Sequence, residues 1–267
     1  MTVPVFHAPH ELLAGASTVR LDGPEGRHAA LVRRLQPGEL VDLTDGLGLV
    51  AHCVVLRTQG QALDLEVRQA RVEPAPNPRL TVVQGLAKGD RGETAVETMT
   101  EIGVDVIVPW SASRSITQWK AERGAKSLEK WRGTAREAAK QSRRAWWPEV
   151  TEPATTTEVA KLLAAARLPI VLHEEGELAL AEVELPKRAD DMTDAGAGAV
   201  DIADVADIVL VVGPEGGISP EERERFAAAG AAPYRMGPTV LRTSTAGTAA
   251  AAVLLARSGR WDVGAGG

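Results

Sequence analysis

Four short runs constrain this chain more than anything else in it. They are LTVVQGL at 80–86, VDVIVPW at 104–110, LPIVLHE at 168–174 and DIVLVVG at 207–213. Each is apolar at consecutive positions. In a strand, consecutive residues point to opposite faces, so both faces of such a strand must be covered. Helical patterns stand between the runs, and crossovers of that length join parallel strands. An α/β domain on a parallel sheet is therefore expected.

The helical stretches carry their own start and stop signals. GETAVETMTEIG, residues 92–103, is a helix that Gly103 ends in a left-handed conformation. Roughly residues 125–144 form another. Leu128, Trp131, Ala135, Ala138 and Ser142 share one face of it, and Arg132, Arg136, Lys140 and Arg143 form a stripe beside that face. Ser219-Pro220-Glu221-Glu222 combines an N-cap serine, a proline in the first turn and a capping-box glutamate, and Gly230 ends that helix. The segment from Pro233 then runs as a strand and a long loop. A last helix follows, from about 244 to 257, dominated by alanine as suits a buried helix or a subunit interface.

EPAPNP, residues 73–78, places three prolines in six residues and forbids a helix there. It divides the chain into residues 1–73 and 74–267. The first part reads as mostly β. VRLDGPEG, residues 19–26, is a short strand and a turn, and HAALVRRL, 28–35, is a short helix stopped by Pro37-Gly38. Residues 39–58 alternate with period two around Asp45-Gly46, a hairpin signal, and ALDLEVRQA is a further strand. A small β-barrel with one helix is expected.

Charge excludes some functions and points to another. The net charge of −6 argues against general nucleic-acid affinity. Yet residues 114–144 carry ten Lys/Arg against three Glu, while 174–207 carry eleven Asp/Glu against two basic residues. The basic block suits a polyanion, and the acidic residues of 181–206 read as a mobile insertion. Trp146 and Trp147 beside Arg143 and Arg144 suit RNA phosphates and unstacked bases, or equally packing under the helix end. The single cysteine, Cys53, excludes an internal disulfide framework and reads as core. His7, His10, His28 and His52 lack metal-ligand spacing, so no metal is expected. Neither a signal peptide nor a membrane span is legible, and a cytoplasmic address is expected.

Two glycine-bearing loops carry the chemistry. Gly213-Pro214-Glu215-Gly216-Gly217 follows the last apolar run, but no lysine follows it as a phosphate loop requires. It reads either as a plain turn or as bare backbone lining a small-molecule pocket at the strand's carboxyl end. MGPTVLRTSTAG, residues 236–247, sets Arg242, Thr243 and Thr245 where a helix begins, a place that receives anions. His173 ends the LPIVLH strand at the same sheet edge.

Taken together, GPEGGIS and MGPTVLRTSTA resemble the RsmE family of small-subunit rRNA methyltransferases, of the SPOUT class. Glu101-Ile102-Gly103-Val104 is similar to that family's E-L-G-V, and Gln141 to Arg144 stands where it has E-Q-x-x-R. Arg27-His28 through Arg33-Arg34-Leu35, with Pro37-Gly38-Glu39 and Asp45-Gly46, resembles its PUA-like RNA-binding domain.

The resemblance implies a SPOUT-type parallel sheet with a C-terminal trefoil knot, an exception to unknotted topology, preceded by a small PUA-like β-barrel. It implies S-adenosylmethionine bound bent in the knot, a homodimer through the knotted domain, and methylation of N3 of one uridine in 16S rRNA of the small ribosomal subunit. The cofactor walls would be Leu172 and His173; Gly213, Pro214, Glu215, Gly216 and Gly217; and Met236, Gly237, Val240, Leu241 and Arg242. Arg242 and Thr245 would face the reaction centre or the RNA. RNA contacts would come from His28, Arg33, Arg34, Arg132, Arg136, Lys140, Arg143 and Arg144. Ser244 and Gly247 depart from the family's usual Glu and Ala, which makes position 244 a poor candidate for the base. The alternatives are a non-catalytic RNA-binding assembly factor or a related methyltransferase acting on another RNA.

Overall fold

A computed structural model describes residues 3–186 and 208–262. The chain divides into two compact units, Met1–Ala75 with Ala139–Trp147, and Pro76–Ala138 with Pro148–Gly267.

The first unit contains β1 (Val5–His7), α1 (His10–Leu13), β2 (Thr18–Leu21), α2 (Gly23–Arg27), a π-helical turn (His28–Val32), β3 (Leu40–Thr44), β4 (Leu49–Gln59) and β5 (Ala62–Val72). These strands form one sheet in the order β1-β3-β4-β5-β2, with β1 parallel to β3 and the other pairs antiparallel. The period-two pattern sets its core: Leu49, Ala51, Cys53 and Val55 of β4 point inward against Phe6, Leu43 and Leu65. Burial, and then the charge of Asp42, pushes the Cys53 thiol up to about 12, so it behaves as an apolar filler.

Two local expectations change here. GPEG is helical rather than a turn, because Pro24 fits the first turn of α2, where its missing N–H is not needed. The helix expected over 28–35 ends at Val32, and Arg34 turns left-handed at φ 54°. Trp146 and Trp147 take the packing role. A Cβ at Gly46 would stand 2.8 Å from the Trp147 ring, and one at Gly48 would stand 2.8 Å from Trp146. The indole of Trp146 also donates to the Glu73 carbonyl at 3.0 Å.

The second unit contains β6 (Leu80–Gly85), α3 (Arg91–Ile102), β7 (Val106–Trp110), α4 (Ala121–Gln141), β8 (Glu149–Val150), α5 (Thr156–Ala165), β9 (Leu168–Leu172), β10 (Leu178–Ala179), β11 (Ile208–Val212), α6 (Pro220–Ala228), β12 (Ala232–Arg235) and α7 (Thr243–Arg257). Residues of α4 from Ala139 onward cluster with the first unit. The sheet runs β10-β12-β9-β11-β6-β7-β8, and every pairing in it is parallel. Consecutive apolar residues separate its two faces. Val82, Ile208, Leu210 and Val212 enter the core shared with α3, α4 and α7, whereas Val83, Val209 and Val211 enter the core shared with α5 and α6. Gly103 ends α3 in the left-handed region at φ 109°. Among residues 181–206, Val183 is buried after a short 3-10 turn at Leu180–Glu182, and 187–206 lie outside the described residues.

Glu222 does more than complete the capping box of α6. It is buried, and one carboxylate oxygen accepts the Ser113 amide at 2.8 Å and the Thr156 hydroxyl at 3.0 Å. The other accepts the Ser219 amide at 3.0 Å. Burial pushes its pKa up, but these hydrogen bonds outweigh burial and hold it below the usual carboxylate value. A depressed folded pKa means that this contribution is complete above the unfolded value and is lost as pH falls through the folded one. Glu222→Ala is expected to cost about 2 kcal/mol, read as a lower urea midpoint, because one buried and two part-buried donors lose their acceptor. A midpoint equal to wild type would contradict this.

Candidate active site

The carboxyl ends of β12, β9, β11 and β6 are neighbours, so the loops that follow them meet at one edge of the sheet. Ligands of open parallel sheets bind at such an edge. A cavity of about 680 Å³ lies there, within the range of small-molecule sites. Leu172 and His173, Gly213 to Gly217, and Met236, Gly237, Val240, Leu241 and Arg242 all line it. The three walls expected from the sequence are thus brought together. Among the described residues no cluster of His, Cys, Asp or Glu could hold a metal ion.

The glycines have separate reasons. Gly217 adopts φ 73° and closes a turn by donating to the Pro214 carbonyl at 2.9 Å. Gly85 ends β6 so close to the loop that a Cβ would stand 2.6 Å from the Pro214 nitrogen. At Gly216 a Cβ would stand 2.6 Å from the Arg114 carbonyl oxygen. The bare backbone is therefore partly a packing necessity and partly cavity wall.

Glu215 braces this loop. Its carboxylate accepts the Lys88 amide at 3.1 Å and pairs with Arg91 at 3.0 Å. Burial raises its pKa, but its own backbone amide, that of Lys88 and the Arg91 guanidinium together hold it below the ordinary glutamate value. The loop is tied again from beneath. Fully buried Gln84 donates to the Thr243 hydroxyl at 3.0 Å, and that hydroxyl donates to the Gly213 carbonyl at 2.6 Å. The strand β6, the loop after β11 and the first turn of α7 are thereby clipped together.

Thr245 is placed elsewhere. Thr243 and Ala246 line the cavity, while Thr245 does not and donates its hydroxyl to the Arg242 carbonyl at 3.2 Å. At about 100° per residue, 245 points about 160° away from 243 and about 100° away from 246, whereas 243 and 246 lie only about 60° apart. Ser244 is buried and also off the cavity wall. A Cβ at Gly247 would press on the Met99 sulfur at 2.9 Å, which accounts for glycine there. His173 lines the cavity with its ring committed locally, Nδ1 accepting the Glu175 amide at 3.1 Å.

The basic residues expected to meet RNA fall into two groups. Arg33, Arg34, Arg136 and Arg143 are exposed, Arg143 donating to the Val3 carbonyl at 2.9 Å. Arg144 is half-buried, and His28 packs edge-on against Phe6 at 5.6 Å. Arg132 is taken up by Glu129, Glu152 and the Val150 carbonyl. Lys140 does not belong to a solvated stripe: it is 8% exposed and its ammonium pairs with Glu25 at 2.9 Å. The sequence marks Thr243 only as one of two hydroxyls at a helix start and Arg114 only as the first residue of the basic block, and it does not mark Gln84 or Arg91 as site residues. For Gln84 the available signal is a polar residue inside an apolar strand run.

Comparison with known proteins agrees with this geometry. A model of the RNA methyltransferase domain family matches residues 73–255, and one of the RNA methyltransferase PUA domain family matches 21–68. The ribosomal RNA small subunit methyltransferase E of Mycobacterium bovis is 41% identical over 249 residues, covering 92% of this chain and 88% of that protein. The enzyme of that name from Neisseria gonorrhoeae, solved bound to S-adenosylmethionine, superposes with a TM-score of 0.79 at 26% identity, covering 96% of this chain and 98% of the other. A methyltransferase from Legionella pneumophila, solved with the same cofactor, has a TM-score of 0.74 at 25% identity and the same coverage. With an α/β sheet of this order, a PUA-type unit before it and a full-length relative at this identity, the chain belongs to the ribosomal RNA small subunit methyltransferase E family.

Proposed function

We propose that this protein transfers a methyl group from S-adenosylmethionine to N3 of a uridine in 16S rRNA of the small ribosomal subunit. The observation that carries the reading is the cavity at the ends of β9, β11 and β12, whose three loops are those that the family resemblance assigns to the cofactor. Its size and its glycine-lined backbone fit a nucleoside cofactor, and backbone groups of these loops would read its adenine. The cofactor supplies an electrophilic methyl carbon on its sulfonium.

The chain's own residues supply position and field. Methylation at N3 would release the N3 proton to solvent and leave the donor sulfur as a neutral thioether. Negative charge therefore develops on the uracil before or during transfer. Arg242, which lines the cavity and is exposed, would stabilise that charge. Glu215 and the Gln84–Thr243 clip hold the two loops in register, and alignment of the reacting atoms supplies much of the rate. The reading includes a trefoil knot in the C-terminal segment and a homodimer through the same domain. Val240 and Leu241, apolar and exposed on the 236–242 loop, suit cover by a second copy or by substrate. It also places the protein in the cytoplasm with its RNA. Among the described residues no helix is long and apolar enough to cross a membrane.

Nucleoside mass spectrometry of small-subunit rRNA from a deletion strain tests the reading. Loss of 3-methyluridine, restored by the gene in trans, is expected. Persistence of 3-methyluridine at full level would refute it.

A further inference from the structure

Five arginines line the cavity, at 91, 114, 223, 235 and 242, against glutamates 174, 175 and 215. Arg91 pairs with Glu215 at 3.0 Å and Arg223 approaches Glu175 at 3.5 Å. No salt bridge among the described residues engages Arg114, Arg235 or Arg242. Arginines thus outnumber glutamates around one opening, and three of them make no salt bridge with a described residue.

Arg114 stands out because its backbone is fixed while no salt bridge among the described residues holds its exposed side chain. It sits between β7 and α4 in Ser111-Ala112-Ser113-Arg114-Ser115. Glu222 holds the amide of Ser113 at 2.8 Å, and the Ser115 amide donates to the Ala112 carbonyl at 3.0 Å. Its carbonyl and Cβ rest on Gly216, where an added Cβ would meet them at 2.6 and 3.0 Å. Position 216 is therefore tied to this loop as much as to the cavity. The guanidinium itself is exposed at the rim. Glu221 feels the charge of Arg114, but no salt bridge among the described residues engages the guanidinium. The anchored backbone spares the cost of ordering the loop, and the planar fork suits an anionic oxygen.

We infer that Arg114 binds a backbone phosphate of the RNA beside the target nucleotide and so positions the base over the cavity. The inference rests on the function proposed above. The cofactor's carboxylate would present the same anionic oxygen chemistry, so the test must separate the two sources.

The full-length Arg114→Gln protein is compared with wild type for binding to an unmodified small-subunit rRNA transcript across a salt series, and separately for S-adenosylmethionine. RNA affinity at moderate salt should fall about tenfold. The slope of log K against log salt should become shallower by about 0.7, the value for one phosphate on a single strand. Cofactor affinity should not change, which also reports an intact fold, and Arg114→Lys should restore most of the slope. Wild-type RNA affinity with an unchanged slope would overturn the inference. So would weakened cofactor binding with an unchanged RNA slope, which would assign the guanidinium to the carboxylate. The RNA arm needs no cofactor. A wild-type protein that bound the transcript but not S-adenosylmethionine would therefore defeat the proposed function, while the slope would still decide Arg114.

Discussion

Gly217→Val is expected to abolish S-adenosylmethionine binding and to leave a folded protein. Gly217 has φ 73°, a region that a β-branched side chain enters only at a cost of about 1–2 kcal/mol. No protein atom lies within 4 Å of the position its Cβ would take, and the residue lines the cavity. The added isopropyl group therefore meets ligand space rather than core. The strain alone should lower the melting midpoint by only about 2–8 °C. Calorimetric titration should show affinity reduced at least about a hundredfold, and Gly217→Ala should fall between the two. Binding of the cofactor to Gly217→Val with near wild-type affinity would show that the 213–217 loop is not a wall of the cofactor site.

Arg242→Ala should act on the chemical step instead. Arg242 is the N-cap residue of α7, and its carbonyl accepts the amides of Thr245 and Ala246 at 2.9 Å each. That fixes the backbone and leaves the guanidinium at the cavity rim. Removing a preorganised donor aimed at developing charge lowers kcat by about 10²–10³. Cofactor affinity should move little, and Arg242→Lys should recover part of the rate, since a point charge replaces a planar fork. Single-turnover methylation of the rRNA transcript reads the step directly. A rate within about threefold of wild type would remove Arg242 from the reaction centre. This differs from Arg114→Gln, where the loss should fall on RNA affinity and its salt dependence.

The two arginines also mark where the sequence stops being legible. Arg242 is flagged by its neighbours, a glycine-bearing loop on one side and a helix start on the other. Arg114 lies in an irregular loop with no periodicity, and nothing local says that its carbonyl will rest on Gly216, about a hundred residues later. Lys140 shows the converse failure. Helical spacing puts it in a basic stripe, but the period of a helix says only which residues share a direction, not what stands opposite. Glu25 stands opposite, and the ammonium is buried against it. Thr243 and Thr245 are equivalent on paper, and only the phase of α7 relative to the loop after β11 selects Thr243 as the clip.

Local physics determined the rest. Consecutive apolar residues demanded strands covered on both faces, and helices between them demanded parallel order. Gly103, Ser219 with Glu222, and Asp45-Gly46 punctuated the chain where backbone geometry required them, and the paired glycine motifs marked the family. Those signals lie within a few residues of what they specify. Tertiary structure alone decided which loops abut, which charges are neutralised and which guanidinium stays free. Those outcomes depend on contacts across a hundred residues or more, where a sequence holds both partners but not the distance between them.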